Sequence, residues 1–172
     1  RPDFAFIYIG LPDETGHEYG WGTPEYYKSI ESVDALLGRL VSVLKIKGLL
    51  REYTFIIVTD HGGIGKGHGG ESMQEIQVPW IISGPGIITN RLIAQTNELM
   101  NTSPTIAYIM GIKTREQWIG KPVYGAFTGA EASKLNTIIF LPHPFPSVRS
   151  GLYLQDQLLT LTSSVDGVEI HY

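Results

Sequence analysis

An α/β fold with a mainly parallel central sheet and helices on both faces is what this sequence predicts, from three observations. Two short apolar runs, "FAFIYI" (Phe4 to Ile9) and "TFIIVT" (Thr54 to Thr59), are rich in β-branched and aromatic residues and lack polar alternation. That pattern suits strands buried on both faces. Between them lies one long stretch of helical periodicity, so the order is strand, helix, strand, the right-handed crossover unit of a parallel sheet. A third run, "VPWIIS" (Val78 to Ser83), ends at the turn "GPG" and predicts a further strand.

The crossover helix carries its own start and stop signals. Thr23 is suited to cap it and Pro24 to occupy its first turn, where a missing N–H costs nothing. Ile30, Val33, Leu37, Leu40, Val41 and Leu44 then recur on one face until Gly48, and this stripe reads as core. A shorter helix is expected after Ser103, opened by Pro104, with "TIAYIM" buried before Gly111. The segments "LPDETGH" and "TDHGGIGKGHGG" read as loops leaving the first and second strands.

Past about Gly120 the texture changes. "YGAFTGAEASKLNT" is small and polar and "LPHPFPSVRSG" carries three prolines, which places a boundary near Leu135 to Leu141. The remainder, "QLLTLTSSVDGVEIHY", alternates around "SVDG" as a hairpin would and predicts the start of a small β-sandwich, too short to close.

Bulk properties remove several function classes. The 172 residues carry a net charge of -4, with no basic stripe of the kind that binds a nucleic-acid duplex. No apolar stretch reaches the eighteen residues of a membrane span. With no cysteine, histidine and carboxylate are the strong metal ligands left. The chain opens on "RPDFAFIYIG", already entering a strand, and is expected to be a piece of a longer protein.

The chemistry-bearing residues gather where ligands bind in such folds, beyond the carboxyl ends of the strands. Asp13 and His17 follow the first strand, Asp60 and His61 the second, and His68 comes shortly after, so three of five histidines share one edge with two carboxylates. This donor set suits zinc or a similar divalent ion, and two ions could share it. The glycines of "TDHGGIGKGHGG" allow the backbone to double back and aim two imidazoles at one point. A phosphate-binding loop ending at Gly65 and Lys66 would need glycine at position 60 and Ser or Thr at 67, where the chain has Asp60 and Gly67.

Taken in order, "PDETGH", "TDHGG", "GHGG", "VPWIISGPG" and "TSPTIAYIMGIKTREQWIGKPV" resemble the carboxyl-terminal half of the alkaline phosphatase superfamily, in its type I phosphodiesterase and nucleotide pyrophosphatase branch, from Asp3 to Val123. The resemblance implies that Asp13, His17 and His68 hold one metal ion and that Asp60 and His61 hold a second, both expected to be zinc. It implies metal-dependent hydrolysis of a small phosphate ester by a Ser or Thr nucleophile lying upstream of these residues, so no catalytic nucleophile is assigned within the chain and the fragment alone is expected to be inactive. Residues 1–135 are then the carboxyl-terminal half of a phosphodiesterase or phosphatase domain, and 136–172 a linker and incomplete β-sandwich. That tail resembles the module found after the catalytic domain of chitobiase-like enzymes, which implies a periplasmic or extracellular protein. The sulfatases, similar in fold, usually have asparagine where His61 stands, which favours phosphate over sulfate esters.

Simpler readings stand beside these. Asp13 and His17 are also suited to cap a following helix, and Asp60 to shape a turn. Tyr19 and Trp21 are candidates to stack on a substrate, or to plug their loop against the core. Lys66 and Glu71 are candidates to support the ligands or contact the substrate, or more simply solvated loop charges, and His143 and His171 read as tail residues without chemistry. The alternatives to phosphate ester hydrolysis are a non-catalytic metal- or carbohydrate-binding fragment and a sulfatase-like hydrolase.

Overall fold

The structure is a computed structural model that describes residues 2–93, 97–115, 117–129, 145–147, 153, 155 and 157–163. The chain divides into two compact units, Arg1–Ala132 and Ser133–Tyr172. In the first, the order is α1 (Leu11–Tyr19), α2 (Pro24–Ile46), β1 (Phe55–Val58), α3 (Met73–Ile76), β2 (Trp80–Ser83) and α4 (Thr102–Ile109). In the second, β3 (Phe145–Pro146) pairs antiparallel with β4 (Leu161–Thr162). The expected hairpin around "SVDG" lies outside the described residues, as do His143 and His171.

The long helix forms where its signals place it. Thr23 caps α2 by accepting from the Tyr26 N–H at 3.3 Å, and Pro24 sits in the first turn. Its apolar stripe is only partly covered: Ser29 is the one fully buried residue of α2, while Ile30 and Val41 stay exposed. α1 packs against α2. This leaves the rest of the stripe half-buried, contrary to the core role its periodicity suggested.

The sheet differs from the expectation. β1 and β2 pair antiparallel, with Phe55 opposite Ser83 and Val58 opposite Trp80. A parallel partner needs a connection that returns the chain to the starting edge, usually over a helix. The 59–79 connection has only the four-residue α3. Its two arms are tied together instead, Gly62 N–H to Glu75 C=O at 2.7 Å and Gly63 N–H to Gln74 C=O at 3.1 Å. The reversal that makes this possible also sends β2 back alongside β1. Phe4 to Ile9 forms no strand and joins no ladder among the described residues, and Phe6 and Tyr8 are about four-fifths exposed (80% and 78%). An apolar run favours a strand only when a second backbone offers N–H and C=O partners.

The core sits beyond β2. Ile87, Val123, Ala126 and Phe127 are buried together, with Trp80, Ile82, Ile93 and Tyr108 against them. Thr105 on α4 is fully buried, and its hydroxyl donates to Asn101 C=O at 2.7 Å and accepts from Val123 N–H at 3.0 Å. That hydroxyl satisfies a buried backbone donor and so joins α4 to the segment after Lys121.

The loop between the strands is held from its far end by Glu75. Its carboxylate accepts from Gly70 N–H at 2.8 Å, from Ser72 N–H at 3.3 Å and from the Ser72 hydroxyl. Ser72 and Glu75 form a capping box at the start of α3. The Ser72 hydroxyl first, and the Gly70 N–H after it, hold the Glu75 carboxyl below the usual carboxylate range. A lowered folded-state value means that the anion stabilises the loop above the ordinary range and that this contribution fades as pH falls through the lowered value.

Two outcomes are expected. A methyl group at Gly62 would lie 2.0 Å from the Gln74 carbonyl oxygen, which the adjoining backbone bond holds in place. Gly62→Ala should therefore cost about 1–3 kcal/mol, read as a lowered urea midpoint. Hydrogen exchange followed across pH should show the Gly70 amide protected near neutrality, with protection lost on acidification through the Glu75 titration.

Candidate metal centre

α1 is a helix where the sequence reading expected a loop. Pro12 stands in its first turn with Asp13 and Glu14, and Gly20 closes it with a left-handed φ of 106°. Those were readable helix signals. The consequence is that Asp13 and His17, four residues apart, lie on the same face one turn apart. His17 Nε2 is 3.6 Å from Asp13 Oδ1.

The second wall comes from the loop after β1. His61 comes three residues after Val58, the end of β1, and the turn from Ile64 to Gly67 brings the chain back so that the His61 and His68 rings stack at 3.7 Å, 18° from parallel. Trp21 fixes the distance between the two walls. A methyl group at Gly16 of α1 or at Gly63 of the loop would come within 2.7 Å and 2.3 Å of the indole, so the ring lies directly on both backbones. It meets His17 edge-on at 5.1 Å and lies 5.8 Å from His68. Trp21 is thus a wedge between the walls, and Tyr19 at the end of α1 is exposed.

Asp13 Oδ1 is the centre of the arrangement. It is shielded from solvent, has no hydrogen-bond partner among the described residues, and faces three imidazole nitrogens: Nε2 of His17 at 3.6 Å, of His68 at 3.8 Å and of His61 at 3.9 Å. These separations are too long for hydrogen bonds. Ligand atoms of Asp13, His17 and His68 all lie within 4.8 Å of one another. Asp60 sits at the rim, its side chain 77% exposed, with Oδ2 3.6 Å from His61 Nε2 and Oδ1 accepting from the His61 N–H at 3.1 Å.

Backbone carbonyls decide which ring nitrogen faces inward. His17 Nδ1 lies 3.0 Å from Lys66 C=O and His61 Nδ1 lies 2.8 Å from Gly62 C=O. A carbonyl only accepts, so Nδ1 carries the proton in each ring. In the neutral rings Nε2 then keeps its lone pair, turned toward Asp13. Lone pairs and a carboxylate converging with no proton between them repel one another unless a cation lies among them. Nitrogen and oxygen arms of about 2.0–2.2 Å in a tetrahedral zinc site set ligand atoms about 3.3–3.5 Å apart, so the observed spacing is slightly wide and of the right kind. The donor set and the orphaned carboxylate oxygen fit a divalent cation.

One contributor, Glu75, escaped the sequence reading, and a second, Lys66, stood in it as a supporting group or a solvated loop charge. Glu75 was signalled by "SMQE", a capping-box spelling. Lys66 donates from its Nζ to the Glu18 carbonyl at 2.8 Å, and its own carbonyl receives His17. No sequence signal marks a backbone carbonyl as the partner of a distant ring.

The sequence model of the family "Type I phosphodiesterase / nucleotide pyrophosphatase" matches residues 1–66. That stretch includes Asp13, His17, Asp60 and His61 and ends two residues before His68. Venom phosphodiesterase 2 of Crotalus adamanteus is 42% identical over 62 residues, 36% of this chain and 8% of that protein. Venom phosphodiesterase of Naja atra is 40% identical over the same length, again 8% of the protein. Human ectonucleotide pyrophosphatase/phosphodiesterase family member 1 is 39% identical over 62 residues, 7% of its length. The matched stretch thus spans less than a tenth of each of these relatives. No solved structure matches the chain. Over residues 1–66 the chain is thus similar to the type I phosphodiesterase / nucleotide pyrophosphatase family and to the phosphodiesterases found there.

Proposed function

We propose that this chain supplies the metal-binding part of an enzyme that hydrolyses phosphate esters, of the phosphodiester or nucleotide pyrophosphatase type. The observation that supports it most is the Asp13 oxygen, unpartnered and shielded, with three imidazole nitrogens turned toward it. A structural role for such a cluster would be met by hydrogen bonds among its members, and the distances do not provide them. In this reading Asp13, His17 and His68 hold one zinc ion, and Asp60 and His61 contribute to a second. Two such ions would supply charge stabilisation for the transferring phosphoryl group and a lowered pKa for the attacking oxygen.

The residues of the chain do the positioning. The carbonyls of Lys66 and Gly62 keep the Nε2 atoms of His17 and His61 unprotonated and inward. Trp21 packs against His17 at one side of the cluster and sets the gap between the helix and the loop. Tyr19, exposed beside the site, is placed to lie against a substrate group. The reading places the Ser or Thr nucleophile upstream of Arg1 in the longer protein and takes a small-molecule phosphate ester as its substrate. Its setting is extracellular, which the relatives' names, venom phosphodiesterase and ectonucleotide pyrophosphatase, support. No helix among the described residues is long and apolar enough to cross a membrane.

Zinc competition against a chelator is expected to show tight binding by the full chain and at least about a hundredfold loss in Asp13→Ala, which removes the shared carboxylate. An unchanged affinity in that variant overturns the assignment. In the full-length protein, hydrolysis of a nitrophenyl phosphodiester should disappear on chelation and return with zinc. Activity that persists without metal, or turnover confined to aryl sulfates, rejects the phosphodiesterase reading.

A further inference from the structure

Lys66 lies outside the proposed ligand set and outside the core, yet the structure gives it two bonds to the helix that carries Asp13 and His17. The turn it belongs to is tight, with Ile64 and Gly67 bonded to each other in both directions, at 2.9 and 3.2 Å, and Gly65 left-handed at φ 58°. Three bonds tie this turn to the end of α1 and the residues just after it. Trp21 N–H donates to Gly65 C=O at 2.8 Å, Lys66 Nζ donates to Glu18 C=O at 2.8 Å, and His17 Nδ1–H donates to Lys66 C=O at 3.0 Å. Gly20 permits the approach, since a methyl group there would stand 3.1 Å from the Gly65 carbonyl oxygen.

The Glu18 carbonyl belongs to the last turn of α1, where carbonyls lack partners within the helix and the dipole is negative. An ammonium group satisfies both conditions at once. The bond fixes the residue whose own carbonyl holds His17. Without it, the turn is tied to the helix end only through Trp21 N–H and Gly65 C=O, one residue before the carbonyl that meets the ring, and nothing else described retains the proton on Nδ1. Free histidine in water prefers the other tautomer, with the proton on Nε2, which would close that nitrogen to a metal.

We infer that Lys66 is a positioning residue: its side chain anchors the Gly65–Lys66 turn to the end of α1, and its carbonyl thereby keeps His17 in the tautomer whose Nε2 faces Asp13. The consequence for metal affinity rests on the metal reading proposed above, whereas the tautomer does not.

The full chain, Lys66→Met and Lys66→Arg are compared by two measurements. Methionine keeps the apolar stem and removes the charge, and arginine restores a cationic donor. Nitrogen-15 spectra of the histidine rings without metal report the His17 tautomer, and chelator competition reports zinc affinity. The chain and Lys66→Arg should show the Nδ1–H form of His17 and bind zinc within about twofold of each other. Lys66→Met, with an unchanged melting temperature, should show a mixture with the Nε2–H form and bind zinc about tenfold more weakly, the low end for losing a group that orients a ligand. An unaltered His17 tautomer in Lys66→Met overturns the inference, and so does an unaltered zinc affinity where the parent chain binds zinc. If the tautomer shifts in Lys66→Met and the parent chain binds no zinc, the clamp stands and the metal reading falls, so the two failures are distinguishable.

Discussion

Trp21 lies across two glycines, Gly16 on one helix and Gly63 on a loop nearly fifty residues further along, and through that contact the two halves of the site have a fixed separation. Aromatic rings take a large contact area at little rotamer cost, which suits them to set a spacing. A side chain at either glycine would overlap the indole, at 2.7 Å from Gly16 and 2.3 Å from Gly63, so small residues there are a steric requirement and not a matter of flexibility. The edge of the same ring meets His17 and approaches His68, which links the packing of the walls to the aim of the side chains on them.

The electrostatic consequence follows from the packing. Three imidazole nitrogens and one carboxylate oxygen face each other because four independent backbone features hold them there: the helical spacing of Asp13 and His17, the Lys66 and Gly62 carbonyls, the reversed turn at Ile64–Gly67, and the Glu75 knot at Gly70. Each satisfies its own hydrogen bonds and leaves the cluster's centre unsatisfied. Such division is what a preorganised ligand set requires, since its orientation must survive when no ion is present. Glu75 illustrates the point from the other side, as a buried carboxylate whose bonds are all local and whose role is to keep the loop closed.

Among the described residues, the strands that lead into this site have little around them. β1 and β2 form a ladder of two, and the buried apolar cluster lies beyond β2 with α4 and the segment after Lys121. The apolar residues of α2 and of Phe4 to Ile9 remain largely uncovered. The site therefore does not take its rigidity from a large core. It takes it from the local network of backbone bonds, ring contacts and glycine approaches between α1 and the 60–75 loop.

The sequence by itself determined the long helix, the short one after Thr102, the strands at Phe55 and Trp80, and the short list of residues able to bind a metal. These are properties of neighbours along the chain: periodicity, a Thr and Pro at a helix start, a run of β-branched residues, histidines set among glycines. It did not determine the direction in which β1 and β2 pair, the absence of a ladder at Phe4 to Ile9 among the described residues, or the half-exposed stripe of α2, because pairing and burial depend on which other backbone comes alongside. Nor could it decide which nitrogen of His17 faces Asp13. That choice belongs to a carbonyl forty-nine residues away, delivered by a turn whose sequence, Gly65 and Lys66, says nothing of its target.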